Sequence, residues 1–291
     1  DIGNFLILGD SYSTFEGYIP DGNEAWYQDG GREGTDVTNV EQTWWKIFEH
    51  NTNANLMRNE SYSGTTICNT GYDGYDASSI SFIGRFDKLV ANRYFQENTI
   101  DTVIIFGGTN DSWAVSPIGQ PVYSDWSEND KKEVLPAFSY LLNSIKDNAP
   151  EAKIICIIND GLVPQITNGM SEICKKYKVE CVKLSGIDKQ TQHPSVAGMV
   201  QVEEQLRNVL FNKPTVYYND AVMSGMGLPN VYDGDYTTGY VSEDNPDMTE
   251  GKQYFQYTWE QAVDYNSVTL YSSWCGTENT QGQAPTKWKV Q

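Results

Sequence analysis

Histidines, basic residues and long apolar runs are all scarce in this chain of 291 residues. Its 20 lysines and arginines face 39 acidic residues, which gives a formal net charge of −19. A charge of this sign argues against nucleic-acid partners and anionic membrane surfaces, because phosphate groups attract cationic proteins. Crossing a bilayer takes about 18 or more consecutive apolar residues, and the sequence has no such run. We therefore expect neither a nucleic-acid partner nor a membrane span.

Cysteines are also few, and none of the five forms a Cys-x-x-Cys pair. The spacing typical of a zinc site is therefore missing. An odd count leaves at least one thiol free or intermolecular, so the cysteines do not settle the redox compartment. The start at Asp1 lacks the layout of a signal peptide, and we interpret it as a processed or trimmed end. Composition favours a soluble exported protein, extracellular or periplasmic.

The first apolar run of the chain ends at a serine. Phe5-Leu6-Ile7-Leu8 is followed directly by Gly9-Asp10-Ser11. This order places a hydroxyl where a buried strand ends and a turn begins, the position from which an open α/β sheet presents its chemistry. Ser11 is therefore a candidate nucleophile. A helix-capping serine in an ordinary turn is the alternative.

Three later segments carry polar clusters in comparable places. They are Asn59-Glu60-Ser61-Tyr62-Ser63-Gly64-Thr65-Thr66, Gly107-Gly108-Thr109-Asn110-Asp111 and His193-Pro194-Ser195. Each follows a strand-like run or precedes a helical one. Parallel strands would bring all of them to one edge of the sheet, so a nucleophile, amide donors and a base would converge there.

These four segments, in this order, resemble the SGNH hydrolases, also called the GDSL esterase/lipase family. The resemblance covers about residues 4–212. It implies that Ser11 is the nucleophile and His193 the base. It also implies an oxyanion hole made of the Ser11 and Gly64 backbone amides and the Asn110 side chain. Such an enzyme hydrolyses esters and needs no cofactor for catalysis.

His193 is the better candidate of the two histidines. His50 follows an apolar run near the end of a predicted helix, where a cation is ordinary. His193 precedes Pro194 and Ser195, a helix-start signature that would hold it at an exposed edge.

The orienting acid departs from the family pattern. An aspartate usually stands three residues before the histidine, but this sequence has Gln190 there, and the nearest upstream acid is Asp188. We predict Asp188 as the third catalytic member, because a carboxylate stabilises the imidazolium of the transition state better than an amide does. Gln190, a backbone carbonyl, or a dyad without a third member are the alternatives.

Alternating strand and helix patterns predict an α/β fold for residues 1–213. Strands are expected near residues 5–9, 55–59, 101–107, 152–158 and 179–184, and helices near 41–50, 80–95, 130–148, 165–177 and 195–211. Five such units predict a flavodoxin-like, doubly wound, parallel five-stranded sheet. Two long loops, residues 16–41 and 112–129, are rich in aromatic residues. Because loops this long are often functional, we predict that Trp113 and Trp126 bind substrate as a platform for a sugar ring; packing of the loops onto the body is the alternative.

Residues 214–291 change to short β-like runs separated by turns and predict a smaller all-β domain. They resemble the first part of discoidin, or factor 5/8 type C, modules, which include carbohydrate-binding members. The resemblance rests on residues 230–240, on Gln256-Tyr257-Thr258-Trp259 and on residues 285–290. It covers about half of such a β-sandwich module, so the native chain is expected to continue. It also implies a structural calcium at Asp233, Asp235 and Thr238, with an Asp-Gly turn as the alternative.

The sequence thus predicts an exported serine esterase that removes O-acetyl groups from a glycan. Within the same enzyme class the alternative is a lipase, lysophospholipase or thioesterase, which needs a continuous apolar acyl groove. From another class the alternative is a glycan-binding protein with an inactive hydrolase fold, and the Gln190 departure keeps it open.

Overall fold

The computed structural model describes residues 2–211 and two strand segments, 215–218 and 255–258. The chain divides into two units, Asp1–Phe211 and Asn212–Gln291. The first unit contains a five-stranded sheet with helices on both sides.

All five strands of this sheet run parallel, in the order β2-β1-β3-β4-β5. They are β1 (Asn4–Gly9), β2 (Asn55–Ser61), β3 (Thr102–Gly107), β4 (Lys153–Ile158) and β5 (Glu180–Lys183). This is the flavodoxin-like order of a doubly wound sheet, which confirms the predicted fold class. Since the strands are parallel, their C-terminal ends lie along one edge.

Both faces of the sheet are buried. Successive side chains of a strand point to opposite faces, so β1 sends Leu6 and Leu8 to one face and Phe5 and Ile7 to the other. Every residue of β3 is buried, as expected for a parallel strand between helix layers. A continuous apolar run was therefore the correct sequence signal for β3.

The described helices form these two layers. They are α1 (Trp44–Thr52), α2 (Phe82–Ala91), α3 (Tyr94–Glu97), α4 (Thr109–Trp113), α5 (Val134–Asn148), α6 (Pro164–Tyr177) and α7 (Val196–Phe211). Helices α2, α5 and α6 pack on one face of the sheet, and α1 and α7 pack on the other. The short α4 follows β3 directly at the edge where the polar clusters were expected.

Two predicted helices are shorter than expected. The helix predicted at 80–95 is interrupted because Arg93 takes a left-handed conformation, with φ at 60°, and separates α2 from α3. The helix predicted at 130–148 begins at Val134, because Glu133 is extended with φ at −111° and ψ at 142°. Pro136 stands in the first turn of α5, where a missing backbone N–H costs no helical hydrogen bond.

A hairpin forms where the sequence predicted only a loop. β6 (Lys189–Gln190) pairs antiparallel with β7 (His193–Pro194), directly before α7. In the second unit, β8 (Thr215–Tyr218) pairs antiparallel with β9 (Phe255–Thr258), which confirms the β character predicted for these two runs. Among the described residues, no helix combines the length and the apolar character needed to cross a bilayer.

Candidate active site

Ser11 lies where β1 ends, at the first position of a short 3-10 helix, Ser11–Ser13. Asp10 caps this helix, because its Oδ1 accepts a hydrogen bond from the Tyr12 backbone N–H at 3.0 Å. Ser11 is only 2% exposed. Its Oγ is 2.9 Å from His193 Nε2, so the structure brings the predicted nucleophile and the predicted base into hydrogen-bond contact.

The second ring nitrogen of His193 determines the tautomer. His193 Nδ1 lies 2.9 Å from the backbone carbonyl oxygen of Thr191. A carbonyl oxygen only accepts, so Nδ1 carries the proton. Nε2 is then unprotonated and accepts the hydrogen bond from the Ser11 hydroxyl. This is the arrangement that a general base toward serine requires.

The structure does not bring Asp188 to His193, and this corrects the expectation for the third catalytic member. The Asp188 side chain instead accepts a hydrogen bond from the Ser195 hydroxyl, which in turn caps α7 by accepting from the Gly198 backbone N–H. Gln190 is exposed on β6. The reason is that β6 and β7 fold into a tight hairpin. The hairpin places the Thr191 carbonyl, at its tip, in the position beside Nδ1 that a carboxylate would otherwise take.

The hairpin tip is a strained two-residue turn. Gln190 pairs with His193, and the two residues between them, Thr191 and Gln192, have φ values of 46° and 65°. Positive φ at both central positions defines a type I′ turn, which favours Asn-Gly; a β-branched threonine is unfavourable there. The Tyr12 hydroxyl donates to the Gln192 carbonyl and supports this conformation. Backbone strain of this kind is typical of functional sites.

An indole ring covers one face of the catalytic imidazole. Trp26 stacks on His193 with ring centroids 3.7 Å apart and planes 8° from parallel. The Arg32 guanidinium lies over the Trp26 ring, 4.4 Å from its centroid. Burial lowers the pKa of His193 below its usual 6.5; the Thr191 carbonyl opposes this, and the Arg32 and Lys189 cations lower the pKa further. His193 is therefore held in the neutral form that a base needs.

The predicted oxyanion donors follow the two strands that flank β1. The sheet order β2-β1-β3 sets the Gly64 loop, Ser11 and Asn110 at the ends of three neighbouring strands. Gly64 has a φ of 76°, and a Cβ built there would meet no protein atom within 4 Å. Its positive φ accounts for the glycine, and its outer side is open.

Asn110 is at the start of α4, which follows the left-handed Gly108, with φ at 94°. The adjacent Asp111 carboxylate accepts hydrogen bonds from the Ile67 N–H, at 2.8 and 3.0 Å, and from the Cys68 N–H at 3.2 Å. Burial raises the pKa of Asp111 to about 6, and these backbone bonds oppose the rise. They join α4 to the loop that carries Gly64.

Arg85 of α2 is a fully buried cation beneath this region. Its guanidinium donates to the carbonyls of Gly9, Glu60 and Ile80 and to the Thr65 hydroxyl. Burial lowers its pKa to about 10, which still leaves it charged at neutral pH. Charge-assisted hydrogen bonds are stronger than neutral ones, so Arg85 ties the ends of β1 and β2 to the Gly64 loop. Sequence reasoning missed Arg85, because α2 carries no motif.

Unpartnered buried polar atoms concentrate around Ser11. Among the described residues, the buried side-chain atoms without a hydrogen-bond partner are Asp10 Oδ2, Trp26 Nε1, Asn110 Nδ2 and Asn159 Oδ1. Buried polar groups are normally satisfied, so each exception needs a reason. For Asn110 Nδ2, the reason would be its predicted role as an oxyanion donor, because its acceptor would form only during the reaction.

The two predicted substrate-binding tryptophans have different surroundings. Trp113, at the end of α4, is 38% exposed and lies 6.1 Å from the His193 ring and 6.5 Å from the Tyr12 ring. Trp126 packs edge-on against Tyr140 at 5.7 Å, and its indole N–H donates to the Val122 carbonyl and the Ser139 hydroxyl. Trp113 thus faces the site, whereas the contacts of Trp126 pack its loop onto α5.

No cluster of three or more metal-ligating His, Cys, Asp or Glu side chains occurs in the part of the chain that the structure describes. The predicted calcium ligands Asp233, Asp235 and Thr238 lie outside the described residues. The described cysteines, Cys68, Cys156, Cys174 and Cys181, are free thiols.

A serine hydroxyl hydrogen-bonded to the unprotonated nitrogen of a neutral imidazole, set on this α/β fold, defines a serine hydrolase. The sequence pattern of the GDSL-like lipase/acylhydrolase family matches residues 4–210, and the chain belongs to that family. No curated protein matches the chain.

Solved structures give the same result. A protein assigned as a GDSL-like lipase from Bacteroides ovatus ATCC 8483 is 43% identical with a TM-score of 0.68, covering 72% of this chain and 99% of that one. One from Bacteroides uniformis ATCC 8492 is 44% identical with a TM-score of 0.66, covering 72% and 95%. A carbohydrate esterase with catalytic and non-catalytic binding functions shares the fold at 17% identity and a TM-score of 0.50, covering 72% and 69%.

Proposed function

We propose that the protein hydrolyses carboxylic esters through an acyl-enzyme on Ser11, with His193 as the general base. The observation that carries the proposal is the 2.9 Å contact between Ser11 Oγ and His193 Nε2. It is supported by the Thr191 carbonyl on Nδ1, which leaves Nε2 free to accept a proton. In this mechanism Ser11 and His193 form a dyad, and a backbone carbonyl orients the base.

Ser11 Oγ attacks the ester carbonyl carbon while its proton passes to His193 Nε2, and the carbonyl electrons move to the oxygen. The backbone N–H groups of Ser11 and Gly64 and the Asn110 Nδ2 donate to that oxyanion. His193 then returns the proton to the alcohol oxygen as the C–O bond breaks. Water attacks the acyl-serine in the same way, and the acid is released with Ser11 restored.

We further propose that the substrate is an O-acetylated carbohydrate. Trp113 offers an exposed aromatic surface 6.1 Å from the His193 ring, where a sugar ring could stack. The discoidin-like resemblance of residues 214–291 favours the same substrate class. That module and its calcium ligands Asp233, Asp235 and Thr238 stay proposals, as does an extracellular or periplasmic location.

The packing of two loop tryptophans is one argument against a long acyl chain as substrate. Trp26 is occupied by its stacking on His193, and Trp126 packs against Tyr140. Neither ring is then available to line a continuous apolar groove of the kind that a lipase or lysophospholipase needs.

Two measurements test the proposal. The first is kcat/KM on 4-nitrophenyl esters from acetyl to dodecanoyl, with Ser11→Ala as the control for background hydrolysis. We expect the highest value for acetyl; a maximum at long chains would favour a lipase. The second is acetate release from a panel of acetylated polysaccharides. If no ester is hydrolysed but the polysaccharides bind, the protein is an inactive glycan binder.

A further inference from the structure

The side-chain amide of Asn110 has one end fixed and one end free. Asn110 is 2% exposed, and its Oδ1 accepts a hydrogen bond from the Tyr72 hydroxyl at 2.8 Å. Its Nδ2 is buried and without a partner among the described residues. The acceptor oxygen and the donor nitrogen of an amide are bonded to the same carbon in one rigid plane. Whatever holds Oδ1 therefore also sets the direction of the two N–H bonds.

Tyr72 is suited to donate this hydrogen bond. Burial raises the pKa of Tyr72, and the Asp10 and Asp111 carboxylates raise it further, so the phenol keeps its proton at neutral pH. If the Asn110 amide were turned over, Oδ1 would face the developing oxyanion, and two partial negative charges would repel. The phenol donor favours the productive orientation over this one.

The backbone segment before Tyr72 is anchored by hydrogen bonds. Tyr72 begins the 3-10 turn Tyr72–Gly74, which lies between the Gly64 loop and α2. The segment before the turn is anchored at Thr70: its hydroxyl donates to the Lys132 carbonyl at 2.7 Å, and its carbonyl accepts from the Ser116 hydroxyl at 2.8 Å. Residues outside the catalytic ones thus anchor the backbone that leads to Tyr72, and its phenol, 40% exposed, reaches Asn110 from there.

We propose that Tyr72 is a positioning residue that orients the Asn110 amide so that Nδ2 faces the oxyanion. The inference rests on the proposed esterase function, because it assigns a partner to one of the three oxyanion donors. Tyr72 acts through Asn110 and not on the substrate, so its contribution disappears when Asn110 is removed.

A double-mutant cycle on 4-nitrophenyl acetate tests this coupling. The variants are Tyr72→Phe, which removes only the hydroxyl, Asn110→Ala, and the two combined. Tyr75→Phe is the matched control, because Tyr75 belongs to the same turn and is 52% exposed. A neutral hydrogen bond contributes about 1 kcal/mol, which corresponds to about fivefold in rate, so Tyr72→Phe should lower kcat about 3- to 10-fold. KM and the Tyr75→Phe variant should stay within about twofold of wild type.

The decisive comparison is Tyr72→Phe in the Asn110→Ala background. We expect no further loss there, because residues that act as one unit are not additive. If the two losses multiply, if only KM rises, or if Tyr72→Phe keeps the wild-type kcat, the positioning role is overturned while the esterase function stands.

A second measurement does not depend on turnover. The Asn110 side-chain N–H signals of ¹⁵N-labelled protein can be assigned by their loss in Asn110→Ala. Tyr72→Phe should shift them, and Tyr75→Phe should not. If the wild type hydrolyses no ester, the proposed function fails. Unmoved Asn110 signals in Tyr72→Phe would then also overturn the positioning role.

Discussion

Different kinds of interaction hold the two functional parts of the active site, the oxyanion side with the Gly64 loop and Asn110 and the base side with His193. On the oxyanion side, the Gly64 loop and Asn110 are fastened by two buried charged groups, Arg85 and Asp111. On the base side, no carboxylate touches His193 in the described structure. A backbone carbonyl from a strained turn and a stacked indole hold the imidazole instead.

This difference shows which tasks of an orienting acid a backbone carbonyl can perform and which it cannot. A neutral carbonyl fixes the ring orientation and the tautomer of His193 as a carboxylate would. It stabilises the imidazolium of the transition state less, because it carries only a partial charge. The Arg32 and Lys189 cations destabilise the imidazolium further, since both lower the pKa of His193. We therefore expect the oxyanion side to supply more of the transition-state stabilisation than the base side does.

Removing either member of the dyad should have the largest effect. Ser11→Ala and His193→Ala should each lower kcat by about 10⁴-fold or more, while Ser11→Ala changes the free energy of unfolding by less than about 1 kcal/mol. His50→Ala is the matched control, since His50 is exposed at the end of α1. Steady-state kinetics and urea unfolding measure both quantities. A Ser11→Ala enzyme that kept a tenth of the wild-type kcat would contradict the assignment of Ser11 as the nucleophile.

Removing the oxyanion donor should have the next largest effect. Asn110→Ala is expected to lower kcat by roughly 10²–10³ with little change in KM, because the donor acts mainly in the transition state. Steady-state kinetics on 4-nitrophenyl acetate measure both constants. A raised KM with an unchanged kcat would instead make Asn110 a ground-state binding residue and weaken the contrast between the two sides.

The fold was the part that the sequence predicted well, whereas the roles of Gly64 and Asn110 as oxyanion donors stay predictions. Gly64 and Asn110 lie directly after the strands that end beside β1, and strand ends are fixed by the hydrophobic pattern. The long-range contacts of Arg85 were invisible, because nothing in α2 distinguishes an arginine that points inward from one that points to solvent.

The base side was predicted less well, for a local reason. Gln190-Thr191-Gln192-His193 lacks the Asn-Gly signal of a type I′ turn, so no hairpin was predicted there. The tertiary contact from Tyr12 to Gln192 supports a backbone conformation that the local sequence disfavours. Trp26 stood out only as an aromatic residue in a long loop, and its stacking on a residue 167 positions later left no pattern in the sequence.

A smaller effect is expected from the cation above the Trp26 ring. The base must be neutral, so kcat/KM rises with pH through the pKa of His193, which lies below 6.5. Arg32 lowers that pKa, so Arg32→Gln should raise it and move the acidic limb of the profile to higher pH. Arg32→Lys keeps the charge and should leave the limb in place. If the acidic limb moves equally in Arg32→Gln and Arg32→Lys, the shift is due to the lost stacking of the guanidinium on Trp26 and not to the lost charge.

The smallest effect on catalysis is expected at Asp188, which the sequence predicted as the third catalytic member although the family pattern places the acid at position 190. Its carboxylate is bonded to the Ser195 hydroxyl at the start of α7, and His193 Nδ1 is bonded elsewhere. Asp188→Asn should therefore change kcat less than about threefold, whereas loss of a true orienting carboxylate costs about 10⁴. It should still lower the free energy of unfolding by about 1 kcal/mol, because a charged acceptor at the helix cap is lost.

Gln190→Ala, on the exposed strand β6, is the control and should alter neither kcat nor the free energy of unfolding. A kcat loss of several orders of magnitude in Asp188→Asn would mean that the carboxylate turns toward His193 during catalysis, and the two sides of the active site would then be alike in relying on a buried charge.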